Sequence, residues 1–495
     1  MAMMASGLGI AYHATDIMHQ KSTETQTCQH TAPPHHGMNQ SAIPWNRHLI
    51  IRELGILLRL GVPVMGAHVA GLLMVTLNTV MAGRHSAPTM AAVALGSAIW
   101  APMLVFGLGM LMIIAPMIAQ RQESWSPRAI GAFGHQAIWL GQTLGLVYIT
   151  AFFHIDIVLR LLHIQPQLYQ AVLSYLQALA WGMPGLALYM SLRFVSDGLS
   201  KTRAALYFGL FGLALNAIGN TALVYGTWGF PALGATGCGY GSAIGMLGMG
   251  VGFALYALLH PDYRPYRLFR QAPWPNLRML AEILRHGIPV GVSLFSEATL
   301  FAGVTMLAGA MGIVEVAGHQ IAINVASLTF MMPVGFSMAI SIRVGQALGS
   351  GSRALMRFRS LLGITVATAL MVLPASMMLL LPQTIASWYT QNPAVSRQGT
   401  QLLHMAAAMQ FADGLQVACS GALRALGDTA APMGVTVLSY WLVGLPAAYY
   451  LGIVHGMGPR GLWYGLIMGI STAGLLLLSR LLMQVGWREP RRHTT

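Results

Sequence analysis

A chain of 495 residues that is 55% hydrophobic and only 8% charged cannot wet the surface of a soluble globular fold, where the charged share is about 25%. Its formal net charge of +14 would suggest nucleic acid or an anionic surface for a soluble protein. Here the basic residues sit in alternate loops between apolar runs, so the charge reads as a topology signal and no nucleic-acid partner is implied.

Residues 1–45 are polar, with Lys21, Glu24, His30, Pro33, Pro34, His35 and His36. They lack the basic start and apolar run of a signal peptide and read as a disordered extension. Twelve apolar segments follow, near 54–82, 89–119, 129–153, 168–194, 204–225, 235–259, 287–311, 316–345, 360–382, 400–423, 431–454 and 461–484. A bilayer-spanning helix needs about 20 residues, and these runs supply them. The first six form a lobe over 46–259. A stretch over 260–286, with Pro261, Pro265, Pro273 and Pro275, reads as a cytoplasmic linker. The last six segments form a second lobe over 287–484, and 485–495 is a basic cytoplasmic tail. The fold class is an all-α polytopic membrane protein of twelve transmembrane helices in two six-helix lobes.

Arg47, Arg52, Arg59, Arg121, Arg128, Lys201, Arg203, the linker arginines, Arg353, Arg357, Arg359, Arg488, Arg491 and Arg492 fall on one side. Arg84, Arg160, Arg397 and Arg460 fall on the other. This asymmetry places both termini in the cytoplasm. The halves also repeat. Gly61-Val62-Pro63-Val64 matches Gly287-Ile288-Pro289-Val290 at an offset of 226, and Gly83 and Gln120 match Gly309 and Gln346 at the same offset. Six segments per repeat make the repeat parallel, with a substrate path expected between the halves.

Few ionisable groups lie deep in the segments. Glu297 and Asp413 are the two acids at mid-depth. Each costs about 2.5–3.5 kcal/mol on insertion scales and needs a partner, a proton or an ion. Glu297 shares a helix face with Ser293 and Phe301, and Asp413 with Met409, Gln410 and Gln416. The functional reading is a coupling-cation or proton site in the second lobe; the other is a pair of buried structural carboxyls. Asn216 and Asn220, four apart, either line a first-lobe cavity or bond between helices. His319 reads first as a packing residue and second as cavity lining. Asp197, near Arg193 and Lys201, reads as a turn or ion-pair residue. Cys28, Cys238 and Cys419 form no disulfide framework or metal-ligand spacing. No nucleotide-binding loop is found, which leaves an ion gradient as the energy source.

Together these stretches resemble a family. They are Val80-Met81-Ala82-Gly83, Ser191-Leu192-Arg193-Phe194-Val195-Ser196-Asp197-Gly198, Leu215-Asn216-Ala217-Ile218-Gly219-Asn220, Ser296-Glu297-Ala298-Thr299-Leu300, Ala317-Gly318-His319-Gln320-Ile321-Ala322-Ile323-Asn324 and Asp413-Gly414-Leu415-Gln416-Val417. The chain looks like a MATE (multidrug and toxic compound extrusion) transporter of the NorM-like branch over about residues 50–484. The resemblance implies a monomeric inner-membrane antiporter, not an enzyme, that works by alternating access. It would export organic cations in exchange for Na⁺ or H⁺, with no other cofactor. It assigns the coupling site to Glu297, Asp413 and Asn324. A first-lobe cavity would involve Asn78, Asn216 and Asn220, with Met409, His319 and Gln320 as further lining. Two positions depart from the pattern: Asn78 stands where NorM-like members usually carry Asp, and Met409 where they often carry Tyr. The alternative within the superfamily is a flippase for lipid-linked oligosaccharide. That function would want basic residues in the cavity, and none is expected at mid-depth.

Overall fold

The computed structural model describes residues 46–161, 166–269 and 274–486. The expected N-terminal extension lies outside them, as does the basic tail beyond Gly486. Ten helices among the described residues are long and apolar enough to cross a membrane. In the first half these are α1 (Arg47–His85), α2 (Ala87–Arg121), α3 (Pro127–Phe153), α5 (Arg203–Tyr225) and α6 (Ala235–Leu259). Between them α4 is a broken span, Pro166–Ala180 and Met183–Gly198, bent by 48°. In the second half they are α7 (Leu277–Met311), α8 (Ile313–Gly349), α9 (Arg353–Leu380), α11 (Ala430–Val454) and α12 (Pro459–Gly486). The remaining helix, α10 (Pro393–Ala425), is 33 residues long. It falls short of the hydropathy of a span because Gln410, Asp413 and Gln416 interrupt its apolar residues.

Local chemistry sets the ends. Ser126 before Pro127 and Asn392 before Pro393 accept backbone N–H groups of the first turn, and a proline there costs no hydrogen bond. Gly226, at φ +71°, closes α5 in the left-handed conformation that favours glycine. Asn276 accepts from the N–H groups of Arg278 and Met279 at 3.0 and 3.3 Å. It therefore starts α7 ten residues ahead of the apolar run expected from 287, and the linker is shorter than 260–286. What remains of the linker packs on the first lobe. Tyr263 is buried and donates to Ser196 Oγ at 2.9 Å, and Lys201 lies 4.7 Å from its ring centroid. Burial lowers the Lys201 ammonium from its usual range, and Asp262 partly restores it.

The lobes meet through α1 against α8 and α2 against α7. Contact there is at backbone distance: a Cβ on Gly109 would lie 2.8 Å from the Gly291 Cα. The end that carries the arginine-rich loops is also clamped by polar groups. Arg343 forks onto both Glu53 oxygens at 2.5 and 2.6 Å, and Arg359 approaches the same carboxylate at 3.4 Å. Arg121 pairs with Glu282. Gln120 donates to the Ala425 carbonyl at 2.6 Å, and Gln346 to Ser200 at 3.0 Å. One apolar core runs from the first lobe across this end into α8 and α10. A second, around Leu300, Val304, Trp463 and Ile470, belongs to the second lobe alone. The lobes are thus fused at one end and have separate packing toward the other.

Candidate coupling site and central cleft

Three helices of the second lobe bring the candidate acids together. Glu297 comes from the middle of α7 and is 6% exposed; Asp413 comes from α10 and is 2% exposed. The two carboxyls are close enough to interact electrostatically. Gln416, one turn after Asp413, lines the same cavity as Glu297. Gln410, one turn before Asp413, donates to Thr329 Oγ1 of α8 at 2.9 Å. Glu297 Oε1, Asp413 Oδ1, Gln410 Oε1 and Gln416 Oε1 are buried oxygens without a protein hydrogen-bond partner. Buried polar groups are normally paired. An uncompensated set of oxygens around two carboxyls is chemically a receptor for a cation or a proton. Tyr440 of α11 adds a phenol to this group. It is fully buried, and its oxygen also has no partner.

The first-lobe candidates form a different kind of cluster. Asn78 Nδ2 donates to Ser242 Oγ at 2.8 Å, and Asn220 Nδ2 donates to Asn78 Oδ1 at 2.7 Å. Asn216 Nδ2 also reaches Ser242, at 3.2 Å, while Ser242 donates to the Cys238 carbonyl. Asn78, Asn216 and Asn220 therefore sit in one network that joins α1, α5 and α6. Asn78 needs both faces of its amide here: the nitrogen serves Ser242 and the oxygen serves Asn220. A carboxylate could accept from Asn220 but could not donate to Ser242. The departure at position 78 thus fits its neighbours.

Two adjoining cavities share His68 and Met331. One, of about 160 Å³, lies between the lobes and touches Glu297, Phe330, Gln416 and Arg424. The other, of about 280 Å³, lies in the first lobe beside Asn78, Trp100, Tyr189 and Arg193. Arg193 and Arg424, at the ends of the expected segments 168–194 and 400–423 and away from their mid-depth, bring basic groups to these cavities. Both are buried, and each has N–H groups without a partner. Arg193 lies 3.8 Å from Asp197, which is an ion-pair residue as expected but fully buried.

The other sequence candidates lie apart from the acids. Asn324 is exposed on α8 and accepts from Gln320 at 3.1 Å; the α8 contact to the acid cluster comes from Thr329 instead. His319 is fully buried. Trp463 donates to its Nδ1 at 3.2 Å, and its Nε2 lies 2.9 Å from Thr305 Oγ1. With Nδ1 accepting, the ring proton sits on Nε2, and both nitrogens are satisfied by packing neighbours. Met409 is buried in the second-lobe core. Sequence reasoning missed Tyr440, His68 and the Glu53 clamp. Tyr440 had one signal, the proline six residues later.

Among the described residues, ten membrane-spanning helices and one broken span, arranged in two repeated lobes around a shared cleft, give the architecture of a multi-pass membrane transporter. The chain belongs to the MatE family, whose profile matches residues 63–221 and 289–450. It is 38% identical over 450 residues to the multidrug resistance protein PmpM of Pseudomonas aeruginosa, across 90% of this chain and 94% of that one. It is 36% identical over 439 residues to the multidrug resistance protein NorM of Aliivibrio fischeri, across 88% and 95%. Among solved structures it is similar to the eukaryotic MATE transporter AtDTX14, with a TM-score of 0.81 at 16% identity over 88% of this chain and 96% of that one. A further match is an outward-facing MATE multidrug resistance transporter of the MOP superfamily, with a TM-score of 0.78 at 18% identity over 87% and 95%. The expected NorM-like resemblance and the two-lobed helical fold are borne out.

Proposed function

We propose that this chain is an inner-membrane antiporter that exports cationic amphiphilic compounds in exchange for Na⁺ or H⁺. The observation that carries the reading is the buried Glu297–Asp413 pair with its unpartnered oxygens, of which Glu297 lines an interlobe cavity. Relatives named as multidrug resistance proteins supply the substrate class. With both termini cytoplasmic, as the arginine-rich loops argue, the polar clamp is an inner gate. The cation reaches the acids from the outer side. Binding it removes the like-charge cost between them and shifts α7 and α10. Opening the clamp lets the cation leave inward and a drug enter. Cation and drug are coupled because each favours a different lobe arrangement. The protein acts as a monomer in the bilayer with no other cofactor.

Drug susceptibility of cells that express Glu297→Gln or Asp413→Asn tests this. Both variants are expected to insert at normal levels and to confer no resistance; normal resistance in both would sink the coupling site. Arg424, with its unpartnered N–H groups in the cleft, favours a second reading, a flippase for an anionic lipid-linked oligosaccharide. Under that reading Arg424→Gln abolishes activity while both acid variants retain it.

A further inference from the structure

We propose that Tyr440 is a third cation-site residue, supplying a phenol oxygen from α11. This rests on the coupling reading of Glu297 and Asp413. The geometry has three independent parts. Tyr440 is fully buried, and its hydroxyl has no hydrogen-bond partner among the described residues. The turn that holds Tyr440 packs on α7: a Cβ on Gly444 would lie 3.5 Å from Leu300 Cδ1, one turn after Glu297, and Glu297 and Asp413 are the charged groups that act on the hydroxyl from α7 and α10. The α12 face against the same turn offers glycine instead: a Cβ on Gly469 would lie 2.8 Å from the Gly444 Cα.

The third part is the backbone. Residues Ser439–Gly444 form a π-helical stretch within α11, a feature found mostly as a local widening at functional sites. The sequence supplies its cause. Pro446 has no N–H, so the Leu442 carbonyl loses its partner four residues on, and the proline ring crowds it. The N–H of Leu445 bonds instead to the Tyr440 carbonyl, five residues back. The widened turn changes which residues of α11 face inward, and Tyr440 is carried to the buried side of α11, where the stretch packs on α7 and α12. A phenol there can donate its O–H to a carboxylate while a lone pair faces a bound cation. It brings an aromatic side chain from α11 where α10 carries Met409.

Purified wild type, Tyr440→Phe, Glu297→Gln and Asp413→Asn, reconstituted in proteoliposomes, separate the possibilities. Efflux of tetraphenylphosphonium is followed in two arms: a Na⁺ titration at fixed pH, and a pH titration without Na⁺. Phe keeps the ring and removes only the oxygen. Its half-saturating Na⁺ is expected to rise about threefold or more, the effect of one lost polar contact. In the proton arm its pH midpoint is expected to move upward by about half a unit or more, because a carboxylate loses a donor. Tetraphenylphosphonium binding to the detergent-purified variant, with competition by Na⁺ and by acid, gives the same comparison without transport. Curves that superimpose on wild type in both arms overturn the role of Tyr440. If the two acid variants also transport normally, the coupling reading itself has failed. If they are inactive while Tyr440→Phe superimposes, only the Tyr440 assignment has.

Discussion

Asn78 puts a neutral amide where NorM-like members usually carry an acid. Its amide closes a neutral network with Asn220 and Ser242. Asn78→Ala would leave a buried amide and a hydroxyl short of a bond, at a cost of about 1–3 kcal/mol. The expected outcome is a lower Tm of the detergent-purified protein with an unchanged Na⁺ or pH dependence of efflux. A shifted ion dependence would mean that the first lobe takes part in coupling. Met409 carries a converse expectation. It is buried in the second-lobe core, so Met409→Tyr, which restores the common family residue, overpacks the site by about 1–3 kcal/mol. Thermal unfolding should show a loss of stability and no gain in cation affinity.

The α11 helix is where pattern reading stopped short. Its apolar composition was enough to predict a span, but a hydropathy pattern has no term for a switch from i→i+4 to i→i+5 bonding. Only the backbone shows that the turn before Pro446 brings Tyr440 inward. By contrast, Glu297 and Asp413 were legible as candidates, because a carboxyl in an apolar run is expensive wherever the chain goes. Asn324 was assigned by motif alone. Its exposure on α8 was not legible, because a helix position says nothing of which neighbour covers it. The same limit hid the Glu53 clamp, whose partners are 290 residues apart. Pro446→Ala tests the element directly. It allows α11 to return to regular α bonding and should turn Tyr440 away from the acids. The expected result is folded protein whose half-saturating cation concentration rises about threefold or more, matching Tyr440→Phe. Wild-type cation dependence in Pro446→Ala would show that the π-helical stretch is incidental.

At the scale of the whole molecule, the lobes are joined at the arginine-rich end and separately packed beyond it. Glu53 holds Arg343 and Arg359 at that joint. Glu53→Gln would leave two guanidinium groups without their charge partner, a loss of about 3–5 kcal/mol for a buried pair. Spin labels on α1 and α8 at that end should report a population with larger separation than in wild type. An unchanged distance distribution would remove the clamp from the gating account.

The central claim is that cation binding at Glu297 and Asp413 in the second lobe drives drug efflux. Its most direct measurement is simultaneous recording of ion flux and organic-cation efflux in proteoliposomes under an imposed Na⁺ or H⁺ gradient. The account predicts that wild type moves ion inward as drug leaves, and that Glu297→Gln and Asp413→Asn abolish both fluxes together. Drug efflux that continues in either variant with its ion flux intact would contradict it.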